Sequence, residues 1–108
     1  MVKMKMSKFS DHLREELKDP EFARLYAIER AKVAMAQKIA ELREDCHLKQ
    51  SELAEKMGVT QQFISQIETG NAKNLGIDTL VRFASTLGRG VRISFPKISG
   101  NKPLLQVT

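Results

Sequence analysis

The chain has little of what would place it in a membrane or in an oxidising compartment. Among 108 residues Cys46 is the only cysteine, so no disulfide can form within the chain, and we expect a reducing, cytoplasmic setting. No run of about 18 apolar residues exists, and we therefore expect no transmembrane helix. The first ten residues contain three lysines but no apolar run behind them, so we expect no secretory signal in this segment.

The sequence also lacks a group of residues that would support catalysis or hold a metal ion. Cys46 and two separated histidines, His12 and His47, do not complete a four-ligand zinc site. The enzymatic alternative for a small basic protein is a ribonuclease. That reaction needs a positioned acid/base pair and cations that stabilise the transition state, and no such set stands out. We therefore expect no enzymatic activity, no cofactor, no metal and no small-molecule substrate.

The net charge of +5 is distributed unevenly along the chain. Residues 1–8 carry +3, residues 9–48 carry −2 and residues 49–108 carry +4. A basic second half is compatible with a polyanionic partner, but many ordinary domains are equally basic. Charge alone does not decide the function.

Apolar periodicity predicts a mostly helical chain. Ser10 caps a first helix that extends through Lys18, and Asp19-Pro20-Glu21 marks the start of a second one. This second helix contains neither Gly nor Pro up to about Asp45, and we favour one continuous helix over two helices with a bend. Three shorter helices follow, each ending at a glycine: Gln50 to Met57, Gln61 to Thr69 and Ile77 to Leu87.

One short strand is predicted after the last helix. Val91, Ile93 and Phe95 alternate with polar residues, and Pro96 ends the pattern. No second convincing strand exists in the chain, so the economical partner is the same strand of another copy, which would build a two-fold dimer. A strand that folds back on its own domain is the alternative. Residues 97–108 show no pattern, and we expect a loose tail.

The segment from Gln50 to Gly70 meets the steric requirements of two helices that cross at a short turn. Ala54 is small where the second helix would cross, and Gly58 accepts the positive φ that the turn needs. Five apolar positions would form the wedge between the helices and the core: Leu53, Met57, Val59, Ile64 and Ile67.

The polar face of the second helix predicts DNA binding through the major groove. A glutamine amide matches the adjacent donor and acceptor of adenine, and this helix offers several glutamines near its start. The alternative is that glutamine is only a neutral surface residue. The candidate base contacts are Thr60, Gln61, Gln62, Ser65 and Gln66. Phe63 beside them either contacts a thymine methyl group or covers the edge of the core.

A second set of residues is a candidate for contacts with DNA phosphates. Gln50 and Ser51 begin the preceding helix, where the backbone amides also favour an anion. Asn71, Lys73 and Asn74 lie in a polar loop after the second helix. For these three residues, a solvated loop without a ligand is an equally good interpretation.

The motif Lys49-Gln-Ser-Glu-Leu-Ala54, followed by Thr60-Gln-Gln62 and Ile67-Glu-Thr-Gly70, resembles the Cro/C1-type, or Xre, helix-turn-helix family of phage repressors. The resemblance spans about residues 33–87. It implies a five-helix fold, a dimer on a palindromic operator, and DNA contacts at Gln50, Gln61, Gln62 and Gln66. It does not by itself imply a further partner.

The segment from Phe9 to Tyr26, followed by such a domain and a short strand, is similar to HigA-type antitoxins. The resemblance implies a basic ribonuclease toxin of the RelE/HigB kind as partner. From Asp11 to Glu29 the net charge is −3, which suits a basic protein. The alternative is that the apolar residues pack on the chain's own core and the acids form a solvated face. The candidate toxin contacts are Leu13, Glu16, Leu17, Phe22 and Tyr26.

The expected architecture is therefore an all-α, five-helix Cro/C1-type domain with extra N-terminal helices and a short C-terminal strand. We expect a toxin-docking extension over 1–30, a DNA-binding domain over 31–88, a dimerising strand over 89–96 and a tail over 97–108. The favoured function is an antitoxin that represses its own operon as a homodimer. A stand-alone repressor and a module that only bridges other proteins are the alternatives.

Overall fold

The computed structural model describes residues 11–72, 75–98, 100 and 105–108, and five α-helices lie within them. These are α1 (11–16), α2 (Pro20–Asp45), α3 (Gln50–Met57), α4 (Gln61–Glu68) and α5 (Ile77–Thr86). The all-α prediction is confirmed. The prediction placed extra N-terminal helices before a five-helix domain, whereas the described residues contain five helices in total, with the N-terminal α1 among them. Within these residues, no helix combines the length and the apolar character needed to cross a membrane.

The chain divides into two compact units, and α2 contributes residues to both. The first combines Met1–Ala31 with Ile98–Thr108, and the second is Lys32–Lys97. In the first unit, Asp19 caps α2, since its Oδ1 accepts a hydrogen bond from the Glu21 amide at 3.0 Å. The predicted cap of α1, Ser10, lies outside the described residues. The prediction of one continuous helix up to Asp45 is confirmed.

The core of the second unit joins α2, α3, α4 and α5. Leu53 and Ile64 are fully enclosed, which fits the predicted wedge between α3 and α4. The cluster of buried residues consists of Ile39, Leu53, Ala54, Met57, Ile64, Ile67 and Phe83. Val59 packs against this cluster while remaining partly exposed. Apolar burial therefore comes from one face of each short helix and leaves the other face to solvent.

The turn between α3 and α4 depends on Gly58, whose φ of 71° lies in the left-handed region. Its position lets the Val59 amide donate back to the Ala54 carbonyl at 3.0 Å. From α5, the Arg82 Nη2 donates to the Met57 carbonyl at 2.7 Å. This bond supplies a partner for one of the carbonyl groups that the C-terminal end of α3 leaves free. The turn geometry predicted from the sequence is confirmed.

A partly buried ion pair connects the last turn of α2 to the last turn of α4. The Arg43 Nε donates to Glu68 Oε2 at 2.7 Å, and Arg43 Nη2 donates to Glu68 Oε1 at 2.9 Å. The two side chains are only 12% and 5% exposed. Arg43 Nη1 also donates to the Leu48 carbonyl at 2.6 Å, so the same guanidinium holds the turn that leads into α3.

The predicted strand at Val91, Ile93 and Phe95 is wrong for the single chain. Residues 89–98 have no regular secondary structure, and the three apolar side chains are exposed. A strand is stable only where its backbone groups pair with a neighbour, and the described part of the chain offers no second strand. The alternation of apolar and polar residues was therefore not sufficient to form a strand here.

Replacing Arg43 with Ala should lower the free energy of unfolding by about 3 kcal/mol, because the Glu68 carboxylate would lose its cationic partner in a mostly buried position. Urea unfolding measures this change. Arg14→Ala is the matched control, since its ion pair with Asp11 spans 4.0 Å between well-exposed side chains, and we expect a change within about 0.5 kcal/mol. Equal effects of the two substitutions would contradict a special role of the Arg43–Glu68 pair.

Candidate DNA-binding surface

The start of α3 is defined by its own sequence. Glu52 folds back, and its Oε1 accepts a hydrogen bond from the Lys49 amide at 2.9 Å. This contact satisfies one of the donors that a helix start leaves free. Gln50 is then the first residue of α3 and is half-buried, whereas Ser51 beside it is exposed.

The start of α4 is capped by Thr60, whose Oγ1 accepts a hydrogen bond from the Phe63 amide at 3.1 Å. Ile64 and Ile67 face the core. The side chains of Gln61, Gln62 and Gln66 are all exposed. The predicted row of glutamines is therefore accessible to a ligand, while the opposite face of the same helix is buried in the core.

The other predicted DNA contacts differ in how accessible they are. Thr60 and Asn71 are exposed, and Ser65 is half-buried. Thr60 uses one lone pair of its oxygen in the cap, so its hydroxyl hydrogen and its second lone pair are what it can still offer to a ligand. Lys73 and Asn74, which were predicted to contact phosphates, lie outside the described residues.

Phe63 is half-buried and packs against the core cluster. Of the two interpretations that the sequence left open, this packing favours the one in which Phe63 covers the edge of the core.

Two residues of this surface were missed by the sequence reasoning, Arg43 and Glu68. Gln50 Nε2 donates to Glu68 Oε1 at 3.1 Å, so the Arg43–Glu68 pair reaches a predicted DNA contact. A signal was present, because Glu68 is the only acidic residue between Glu55 and Asp78. An acid on a helix that approaches DNA needs a cationic partner, and the sequence does not say which of the many bases supplies it.

The ion pair also controls the charge of this surface. The hydrogen bonds from Arg43 to Glu68 raise the pKa of the guanidinium above its ordinary value, against a smaller opposing effect of burial. Arg43 therefore stays charged and neutralises the carboxylate beside Gln50. Among the described residues of the second unit, the exposed cations are Lys32, Lys49, Lys56, Arg82, Arg89, Arg92 and Lys97.

A family model described as helix-turn-helix matches residues 39–93, which is half of the chain and includes α3, α4 and α5. The chain belongs to this helix-turn-helix family. The resemblance to the Cro/C1-type family is confirmed at this level, and members of the family are DNA-binding regulators of transcription rather than enzymes. No curated protein matches the chain.

For a helix-turn-helix protein, the geometry assigns different tasks to the two short helices. The second helix of such a pair enters the major groove and the first crosses the DNA backbone. As a member of this family, the chain binds double-stranded DNA, and α4 is the predicted sequence-reading helix. The contribution of each side chain stays a prediction.

The predicted toxin contacts lie in the first unit and are all half-buried: Leu13, Glu16, Leu17, Phe22 and Tyr26. Phe22 and Tyr26 stack with their ring centroids 6.3 Å apart, and the Arg30 guanidinium lies 5.9 Å from the Tyr26 ring. On α2, the large apolar side chains of this unit that face solvent are instead Leu25 and Ile28, which are 57% and 43% exposed. Ile98 and Leu105, in the C-terminal part of the same unit, are exposed as well.

Replacing Gln61 or Gln62 with Ala should weaken binding to the preferred DNA site by about 1–3 kcal/mol and relax the preference at one base pair. A bidentate contact between an amide and a base is lost in each case, while the buried face of α4 is untouched. Selection from a random DNA library, followed by binding titrations, measures both effects. Gln37→Ala, at an exposed position of α2, is the control and should change neither. Unchanged base preference in both α4 variants would contradict readout by these glutamines.

Proposed function

We propose that this helix-turn-helix protein is an antitoxin: it binds a palindromic operator as a homodimer, represses its own operon and neutralises a basic ribonuclease of the RelE/HigB kind. The observation that carries the proposal is the combination of an exposed glutamine row on α4 with an acidic, partly apolar segment from Asp11 to Glu29, whose net charge is −3. The first feature suits DNA and the second suits a basic protein. A protein that only binds DNA needs the glutamine row but has no need of the acidic segment.

The partner surface is best supported around Leu25 and Ile28. They lie three residues apart on α2 and therefore share a face of the helix. Charged residues of both signs lie one helical turn away on the same helix: Glu21 and Glu29 from Leu25, and Arg24 and Lys32 from Ile28. The excess of acid comes from the whole segment between Asp11 and Glu29, and this charge favours the encounter with a basic partner while the apolar side chains supply affinity.

Phe22 and Tyr26 remain candidates for toxin contacts, together with Leu13, Glu16 and Leu17. Their partial burial reduces the area that they can offer to a partner. We infer that Leu25 and Ile28 are the larger contributors, since burying an exposed leucine or isoleucine yields about 1.5–3 kcal/mol.

The dimer is supported by the exposed apolar segment after α5. Ile93 is 55% exposed and Phe95 is 95% exposed, which is unusual for an aromatic side chain in the absence of a partner. With Val91 they supply a self-complementary apolar contact for a second copy. A two-fold axis near this segment would let two α4 helices meet successive major grooves, about 34 Å apart.

The second candidate function is a stand-alone repressor without a toxin. It is favoured by the stacking of Phe22 on Tyr26, which shows that part of the apolar content of the first unit packs within the chain itself. In that case the acids of α1 and α2 are solvated surface.

Replacing Leu25 and Ile28 together with Ser should weaken binding of the basic partner at least about tenfold, because the apolar centre of the contact is removed. To measure this, the full-length chain is used to capture the partner from native lysate. The purified partner's RNA cleavage is then titrated with the wild-type chain and with the variant, and the concentration needed for inhibition is compared. Val33→Ser is the matched control, since Val33 is an equally exposed apolar residue of α2 that lies in the second unit. Retention of operator DNA without any basic protein would make the chain a stand-alone repressor.

Replacing Ile93 and Phe95 together with Ser should convert the dimer into a monomer and lower operator affinity, with the helical circular dichroism unchanged, because both side chains are exposed in the single chain. Sedimentation equilibrium measures the molecular mass. The Leu25/Ile28 double variant serves as the control and should remain dimeric. A wild-type chain that is monomeric at the concentration at which it binds operator would refute this dimer surface.

A further inference from the structure

The side chain of Gln50 is held by a residue of the other helix of the pair. Gln50 opens α3, and its Nε2 donates to Oε1 of Glu68, the last residue of α4, at 3.1 Å. The same Oε1 accepts from Arg43 Nη2 at 2.9 Å, and the other carboxylate oxygen accepts from Arg43 Nε at 2.7 Å. The carboxylate thus has three donors around it.

This contact settles the orientation of the Gln50 amide. A carboxylate only accepts hydrogen bonds, so the amide nitrogen of Gln50 has to face Glu68 and its oxygen has to point elsewhere. The nitrogen carries two hydrogens, and one remains after the bond to Glu68. Because Arg43 neutralises Glu68 on its far side, the amide is oriented without a net negative charge at the DNA-binding surface.

We propose that Glu68 is a positioning residue for DNA binding: it orients Gln50 so that the remaining amide hydrogen donates to a phosphate oxygen of the bound DNA. The inference rests on the DNA-binding function of the family and goes beyond it by assigning a role to Glu68. A phosphate is the fitting acceptor, because α3 is the helix that crosses the DNA backbone in such a pair and a phosphate oxygen only accepts.

Holding the side chain in advance has a measurable benefit. A free glutamine loses rotamer freedom when it is fixed by a ligand, and that loss reduces affinity by up to about tenfold per side chain. Glu68 removes most of this loss, since Gln50 is already half-buried and bonded before DNA arrives.

The decisive experiment is a double-mutant cycle in DNA affinity with Gln50→Met and Glu68→Gln. The probe is a duplex that the wild-type protein selects from a random library. Each single variant should weaken binding about tenfold, and the double variant should be no weaker than Gln50→Met alone, because Glu68 acts through Gln50. A double variant whose loss is the product of the two single losses would overturn the proposal, as would full affinity of Gln50→Met.

Loss of the ion pair in Glu68→Gln can lower stability, so two measurements do not require that variant. The first is the side-chain amide resonance of Gln50 in the free wild-type protein, which should show a contact with Glu68 and slower hydrogen exchange than the exposed Gln62. An amide that exchanges as fast as that of Gln62 would contradict a fixed orientation.

The second measurement distinguishes a phosphate contact from a base contact. Gln50→Met should weaken binding by the same factor for every single-base variant of the selected site, and the dependence of affinity on salt should stay unchanged, because a neutral amide releases no counterion. Gln62→Ala is the matched control and should alter the preference at one base pair. If Gln50→Met also relaxes the preference at one base pair, Gln50 reads a base and the proposal is wrong. If Gln62→Ala also leaves every base preference unchanged, the failure lies in the proposed DNA readout by α4. If Gln62→Ala behaves as expected, the failure concerns only the role of Gln50.

Discussion

The guanidinium of Arg43 is the interaction on which the DNA-binding unit depends most. From the last turn of α2 it bonds both oxygens of Glu68 at the end of α4 and the carbonyl of Leu48 in the turn before α3. α3 and α4 have eight residues each, and helices of this length are not stable on their own in water. Their geometry therefore comes from tertiary contacts, and Arg43 contributes to them at both the turn before α3 and the last residue of α4.

The apolar core and this ion pair act in complementary ways. Leu53 and Ile64 bring the two helices together, but burial of apolar surface is not directional and tolerates small rotations. A bidentate pair between Arg43 and Glu68 restricts both distance and angle, because the planar guanidinium meets the two carboxylate oxygens in one orientation. The result is a fixed orientation of the Glu68 carboxylate, beside the side chain of Gln50 that it holds.

The two apolar surfaces proposed to bind partners lie in different parts of the chain. Leu25 and Ile28 belong to the first unit, and Ile93 and Phe95 to the second. Large apolar side chains in contact with water favour association. In the proposed function, each of these surfaces would couple DNA binding to the binding of another molecule. A partner that prefers one state of the protein, for example the DNA-bound one, increases the population of that state. The size of the shift is set by the difference between the partner's affinities for the two states.

Local sequence determined the helices and the turn, because their signals act over three or four residues: the cap at Asp19, the glycine at position 58, and the apolar spacing that buries Leu53 and Ile64. It also determined which face of α4 is polar. Only the tertiary structure decided that Arg43 pairs with Glu68, 25 residues away, and that Glu68 thereby holds Gln50. The period-2 pattern at Val91, Ile93 and Phe95 was misleading for the same reason, since a strand needs a pairing partner in addition to suitable residues of its own.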